Sequence, residues 1–227
     1  MTMTNPLKNL IVYSIIIFQL NQLIAQKNYD EDLLSAQFHS DRRQALRNMM
    51  EDNSVAFIIS NPERNRSNDV DFQYHQNPDF YYLTGCIEPN SVLMIFKNEI
   101  LIDNMETNEI IFVQPRDNSS EKWTGKRIGI DGATKTLGIK TALNNYQFHE
   151  LAIDFSKYSK IYHPYFFNDY RDDVEDSGDL YSLVKSFNEK TIKYEDKKKS
   201  SYLQKMMASL RKIKTTEELN LLKKAIQ

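Results

Sequence analysis

Cysteine is almost absent from this 227-residue chain. Cys86 stands alone, so no internal disulfide scaffold exists. That thiol has no basic partner close in sequence, which makes it a poor nucleophile. An excess of one charge sign is lacking too. A net charge of −2 argues against a dedicated nucleic-acid binder, which would carry a concentrated basic surface. The familiar catalytic signatures are missing: there is no G-x-S-x-G elbow, no G-x-x-x-x-G-K phosphate loop and no H-E-x-x-H pair. Gly125, Gly129 and Gly132 do not compose a dinucleotide fingerprint. The four histidines (His39, His75, His149 and His163) share neither i, i+4 spacing nor an acidic cluster, and read as ordinary surface or core residues. In the acidic stretch from Asp169 to Asp179, a calcium loop begun at Asp173 places Gly178 correctly but puts Val184 where a bidentate Glu is required. No internal repeat is visible.

A core is present. Hydrophobic residues make up 41% of the chain, which excludes wholesale disorder, and the length suits one domain or one domain and part of a second. Lys8 followed by the apolar run Leu10–Phe18 reads as a secretory leader over residues 1–25, cleaved after Ala25, so an exported product is expected. The run is too short for a spanning helix, and no membrane association is expected once the leader is removed. At the other end, Thr215-Thr216-Glu217-Glu218 reads as a capping box. It opens an amphipathic helix with Leu219, Leu222, Ala225 and Ile226 on one face. No stop signal precedes Gln227, so further residues are expected to follow.

Between the ends, Phe38–Met50 is expected to be helical with Ser40 as N-cap, and Ser54–Ser60 to be a strand buried on both faces. Residues 61–78 lack any period and read as a loop. Phe80–Thr84, Val92–Phe96, Ile110–Gln114 and Ile161–His163 read as strands, with a short strand or hairpin near Glu99–Asp103. Asp131–Leu137 (capped by Asp131 and stopped at Gly138), Phe148–Phe155 and Leu180–Phe187 read as helices. The alternation predicts a three-layer α/β domain, a mixed sheet flanked by helices, over residues 36–190. Residues 191–227 carry ten Lys/Arg against four Asp/Glu and read as linker helices. There Lys197-Lys198-Lys199 is a solvated face, and Leu203, Met206, Met207, Leu210 and Ile213 form a packing stripe.

One segment carries a resemblance. An Arg-Ser and Asp-rich loop (Arg66 to Asp71) leads into Phe80-Tyr81-Tyr82-Leu83-Thr84-Gly85-Cys86-Ile87-Glu88-Pro89, the pattern Phe-x-Tyr-Leu-Thr-Gly-x-x-Glu-Pro. Arg42-Arg43-x-x-Leu46, Trp123-x-Gly125-x-Arg127-x-Gly129 and Leu210-Arg211-x-x-Lys214-x-x-Glu217-Glu218-Leu219 extend the match. Together they resemble the N-terminal domain of Xaa-Pro aminopeptidase (aminopeptidase P) and the start of the linker to its pita-bread catalytic half, over residues 36–227. His75 stands where that family commonly has Arg.

The resemblance implies a parent enzyme that removes an N-terminal residue preceding proline, using two manganese ions in its catalytic half. Those ligands would lie beyond Gln227, so no catalytic or metal-binding residue is assigned in this chain, which is expected to be inactive alone. It also implies that Asp69 and Trp123 shape a substrate region for a proline-containing peptide, and that the full-length protein is a homo-oligomer whose loops reach a neighbouring subunit's site. Two rival readings are an Xaa-Pro dipeptidase (prolidase), which shares the domain, and a free-standing peptide- or protein-binding module.

Overall fold

Ser35, rather than Ser40, caps the first described helix of the computed structural model, α1 (Ala36–Met49), its Oγ accepting the Phe38 N–H at 3.1 Å. The structure describes residues 33–102 and 104–226, and the expected leader over 1–25 lies outside them. After α1 come β1 (Ser54–Ile59), a small hairpin of β2 (Asn65–Ser67) and β3 (Val70–Asp71), α2 (Pro78–Thr84), β4 (Val92–Ile102) and β5 (Met105–Val113). Then follow α3 (Glu121–Thr124), α4 (Gly129–Lys135), β6 (Ala142–Asn144), β7 (Lys160–Tyr162), α5 (Leu180–Thr191), α6 (Ser200–Lys212) and α7 (Thr216–Ile226).

The main sheet has the order β6-β5-β4-β1-β7. Its β1–β4 and β4–β5 pairs are antiparallel, and its β1–β7 and β5–β6 pairs are parallel. All of β1 is buried, because side chains alternate between two cores. Ala56 and Ile58 point to a core built with Phe38, Leu46, Phe80, Leu83, Leu203 and Met207. Val55, Phe57 and Ile59 point to the opposite core, with Phe148, Phe155, Leu183 and Phe187. Phe57 stacks on Phe187, centroids 4.0 Å apart. The result is the expected three-layer α/β arrangement: α1, α2, α4 and α6 on one face, and α5 with two 3-10 turns on the other.

Three local expectations are corrected. Phe80–Thr84 is not a strand but most of α2. Asn77 caps that helix by accepting the Asp79 N–H at 2.9 Å, Pro78 fits its first turn, and Gly85 (φ +71°) ends it in the left-handed region. A Cβ on Gly85 would lie 2.8 Å from the His39 ring. Phe148–Phe155 forms no helix; 3-10 turns occupy Asn145–Phe148 and Phe155–Lys157. The polar stretch 61–78 contains the β2–β3 hairpin and the first residue of α2. A smaller shift places α4 at Gly129–Lys135, with Asp131 inside its first turn and Gly138 (φ +64°) just beyond it.

The Arg43 side chain, 1% exposed, ties the helical layer to the sheet. Its Nε donates to Glu109 on β5 at 2.9 Å, and its two terminal nitrogens donate to the carbonyls of Leu83 (2.9 Å) and Gly138 (3.1 Å). Arg47 donates to the same Glu109 oxygen at 3.0 Å. Burial pushes the Glu109 carboxyl up, but the two guanidinium groups outweigh it and hold the group below the ordinary glutamate value.

The linker region packs on this body. Leu203, Met206 and Met207 of α6 are buried, whereas Ile213 is exposed. The lysine run is not wholly solvated: Lys198 bridges to Ile161 at the β7 edge, and its ammonium pairs with Glu195 at 2.7 Å. The capping box of α7 forms as expected, with Glu218 N–H to Thr215 Oγ1 at 3.2 Å and Thr215 N–H to Glu218 Oε2 at 2.9 Å. Glu217 reaches back to the start of α1, where Ser35 Oγ donates to its Oε2 at 3.1 Å. No helix among the described residues is long and apolar enough to cross a membrane.

Candidate functional site

The sheet topology gathers four connections at one end. Strands β1, β5 and β7 run towards that end and β4 starts from it, so residues 60–77, 85–91, 114–128 and 163–179 share one rim. Residues 85–91, which include Gly85, Glu88 and Pro89 of the long motif, are its hub. Gln76 Nε2 donates to Glu88 O at 2.8 Å, Gln114 Nε2 to Pro89 O at 3.4 Å, and Asn145 Nδ2 to Asn90 O at 3.0 Å. The Asn90 side chain takes the Leu180 N–H at 3.1 Å. The motif therefore fastens neighbouring segments to the sheet.

Asp69 lies at the tip of the β2–β3 hairpin, after Asn68 (φ +50°), and is exposed. Asn65 Nδ2 stabilises the turn by donating to Asn68 O (2.9 Å) and Asp71 Oδ1 (3.1 Å). Two ion pairs brace the hairpin against the acidic segment, Arg64 with Asp169 and Arg171 with Asp71. The Arg64 guanidinium also sits 5.8 Å from the Phe167 ring.

Trp123, in the short helix α3, is 90% exposed. Burying such a side chain against a partner would gain roughly 2–3 kcal/mol, so Trp123 is available as a contact surface. Asp117 accepts the N–H groups of Ser119 and Ser120, and hydrogen bonding from Ser120 holds its carboxyl below the ordinary value. Arg116 forks onto Glu121 (Nη2 to Oε2, 2.9 Å), and that bond lowers the Glu121 carboxyl likewise. Arg127 Nη1 donates to Pro115 O at 3.3 Å, drawing the segment into a loop.

Asp69 and Trp123 thus rise from the same rim without touching. Their segments leave β1 and β5, with β4 between, so their roots are about 10 Å apart. Sequence reasoning missed Glu88 and Arg127 as partners. Glu88 reaches across to accept the Ile128 N–H, and burial raises its carboxyl above the ordinary range. The acidic segment is structural where its contacts are seen: Asp179 caps α5 through the Ser182 N–H at 2.7 Å. Among the described residues, no group of three or more His, Cys, Asp or Glu side chains is arranged to hold a metal ion. Cys86 is buried, and burial pushes its thiol up to about 12.

The family model described as "Aminopeptidase P, N-terminal domain" matches residues 39–162. Xaa-Pro aminopeptidase of Escherichia coli (strain K12) is 40% identical over 110 residues, covering 48% of this chain and 24% of that protein. Intermediate cleaving peptidase 55 of Schizosaccharomyces pombe is 37% identical over 107 residues, 47% of this chain and 20% of that protein. Xaa-Pro aminopeptidase of Haemophilus influenzae is 34% identical over 108 residues, with 48% and 24% coverage. Among solved structures, aminopeptidase P from E. coli with the inhibitor Pro-Leu superposes with a TM-score of 0.65 at 28% identity, covering 85% of this chain and 42% of that one. The aligned stretches thus span about a quarter of the two Xaa-Pro aminopeptidases, and the structural match spans less than half of aminopeptidase P.

Proposed function

The chain belongs to the aminopeptidase P N-terminal domain family, and from that premise we propose that it is the substrate-shaping and assembly domain of an exported, metal-dependent Xaa-Pro aminopeptidase. The observation that carries this reading is the shared rim, where Asp69 and Trp123 are offered to solvent on separately braced segments. An aromatic face suits stacking on a prolyl ring, and a loop carboxylate suits the positive amino terminus of a peptide. In a homo-oligomer these two groups border the peptide site of a neighbouring subunit. The relatives named above favour this over the dipeptidase.

Two manganese ions would supply a hydroxide nucleophile and stabilise the tetrahedral oxygens in such an enzyme. The described residues do not fit that role, since they offer no ligand group, and no step is assigned to them. The chemistry is assigned to the longer polypeptide; this domain binds and orients. The test uses the longer protein carrying this domain, assayed with manganese on an Xaa-Pro-Pro peptide. Asp69→Asn and Trp123→Ala are expected to raise KM about tenfold with little change in kcat, as when binding common to ground and transition states is lost. Unchanged KM in both variants, or turnover by the 227-residue chain alone, overturns the reading.

A further inference from the structure

Two buried polar atoms near the Trp123 segment have no protein partner: Glu88 Oε2 and Arg127 Nε. They carry opposite charge and belong to adjoining contacts, for Glu88 Oε1 accepts the N–H of Ile128, the residue after Arg127. The two side chains come from residues far apart in sequence, and their charges attract. A buried carboxylate oxygen and a buried guanidinium N–H, each lacking a protein partner, are two groups that one bridging water can satisfy together. Arg127 also ties down the start of the loop, its Nη1 donating to Pro115 O at 3.3 Å.

We propose that Glu88 is the positioning residue for Trp123: through Ile128 N–H, and through a water shared with Arg127, it locks residues 116–128 to the rim. Glu88 itself is fixed, because its own carbonyl accepts from Gln76 and the next residue's carbonyl from Gln114. The Arg116–Glu121 pair stiffens the segment from within but does not attach it to residues 85–91. The importance of this lock for peptide binding rests on the function proposed above, whereas the lock itself does not.

Trp123 is the only tryptophan in the chain, so its emission reports the segment directly. Time-resolved anisotropy and the rate of tryptic cleavage after Lys126 are measured for the 227-residue chain and for Glu88→Ala, Glu88→Gln and Arg127→Met, alongside far-UV circular dichroism. Glu88→Ala is expected to add a fast depolarising component and to speed cleavage about tenfold or more, the change expected for losing one charge-assisted hydrogen bond. Glu88→Gln keeps the acceptor for Ile128 N–H and restores most of the order. Arg127→Met loosens the segment as Glu88→Ala does. Anisotropy and cleavage unchanged in Glu88→Ala overturn the proposal. So does mobility gained only through unfolding of the whole domain in both Glu88→Ala and Arg127→Met. Failure of the KM test above with this lock intact would refute the substrate reading alone.

Discussion

Replacing Arg43 by methionine isolates the contact that joins helix layer and sheet. Methionine keeps an unbranched apolar stem of similar reach and removes every donor. Glu109 keeps Arg47 at 3.0 Å and a long contact from the Lys140 N–H at 3.4 Å, but loses its 2.9 Å bond to Arg43. The Leu83 and Gly138 carbonyls lose their guanidinium donors. Removing one partner of a buried pair costs about 3–5 kcal/mol, and a stranded buried carbonyl about 1 kcal/mol or more. These terms share one side chain and overlap, so a loss of about 4 kcal/mol is expected. Against a typical stability of about 5–15 kcal/mol, the variant is left marginal. In urea, with a slope of about 2 kcal/mol per molar, the midpoint moves down by about 2 M at pH 7. Arg43→Lys, which retains the charge but not the three-way fork, should fall between the two. A midpoint shift below about 0.5 M for Arg43→Met would refute the reasoning, because it would mean that the buried carboxylate is satisfied by Arg47 alone.

Two further outcomes follow from the same physics. Gly85→Ala is expected to cost about 2–4 kcal/mol, combining a left-handed backbone penalty at φ +71° with a Cβ 2.8 Å from the His39 ring; thermal unfolding reads it, and recovery of part of the loss in a His39→Ala background identifies the clash. Acid should destabilise the domain in two stages. His39 and His163 are held below the ordinary 6.5 by burial, so the unfolded chain takes up protons first and stability falls as pH drops below that value. Glu109, held below the ordinary glutamate value, contributes fully above it and loses that contribution at lower pH still. Burial raises Glu63 and Glu88, which act in the opposite sense as pH climbs from the ordinary glutamate value to theirs. The histidine contribution is isolated by comparison with a His39→Gln/His163→Gln variant: a wild-type urea midpoint that falls between pH 7.5 and pH 5 no more than the variant's would contradict the histidine assignment.

Strand β1 and the buried stretches of β4 and β5 are legible because burial on both faces demands continuous apolar runs, whereas the half-exposed β4–β5 arm carries no such run. Helices α5 and α7 announce themselves by period and cap. The aromatic run of α2 favours β by residue type alone, and the punctuation overrides it: Asn77-Pro78 before it and Gly85 after it are helix signals. The β2–β3 hairpin is short, exposed and polar, so it has no alternation to detect. Trp123 and Asp69 were identified through family resemblance. Glu88–Ile128 and Arg43–Glu109, by contrast, pair residues 40 and 66 positions apart, and no local pattern announces such a bond.

The bond between Ser35 and Glu217 spans 182 positions of chain. It closes residues 35–217 into a ring in space, and the entropy of closing so long a loop grows only logarithmically with its length. The order in which the segments are threaded is then weakly coupled to the contacts they make. A rearranged gene joining these two neighbourhoods by a few flexible residues, and opening the chain at the Asn104 tip between β4 and β5, retains every core contact described.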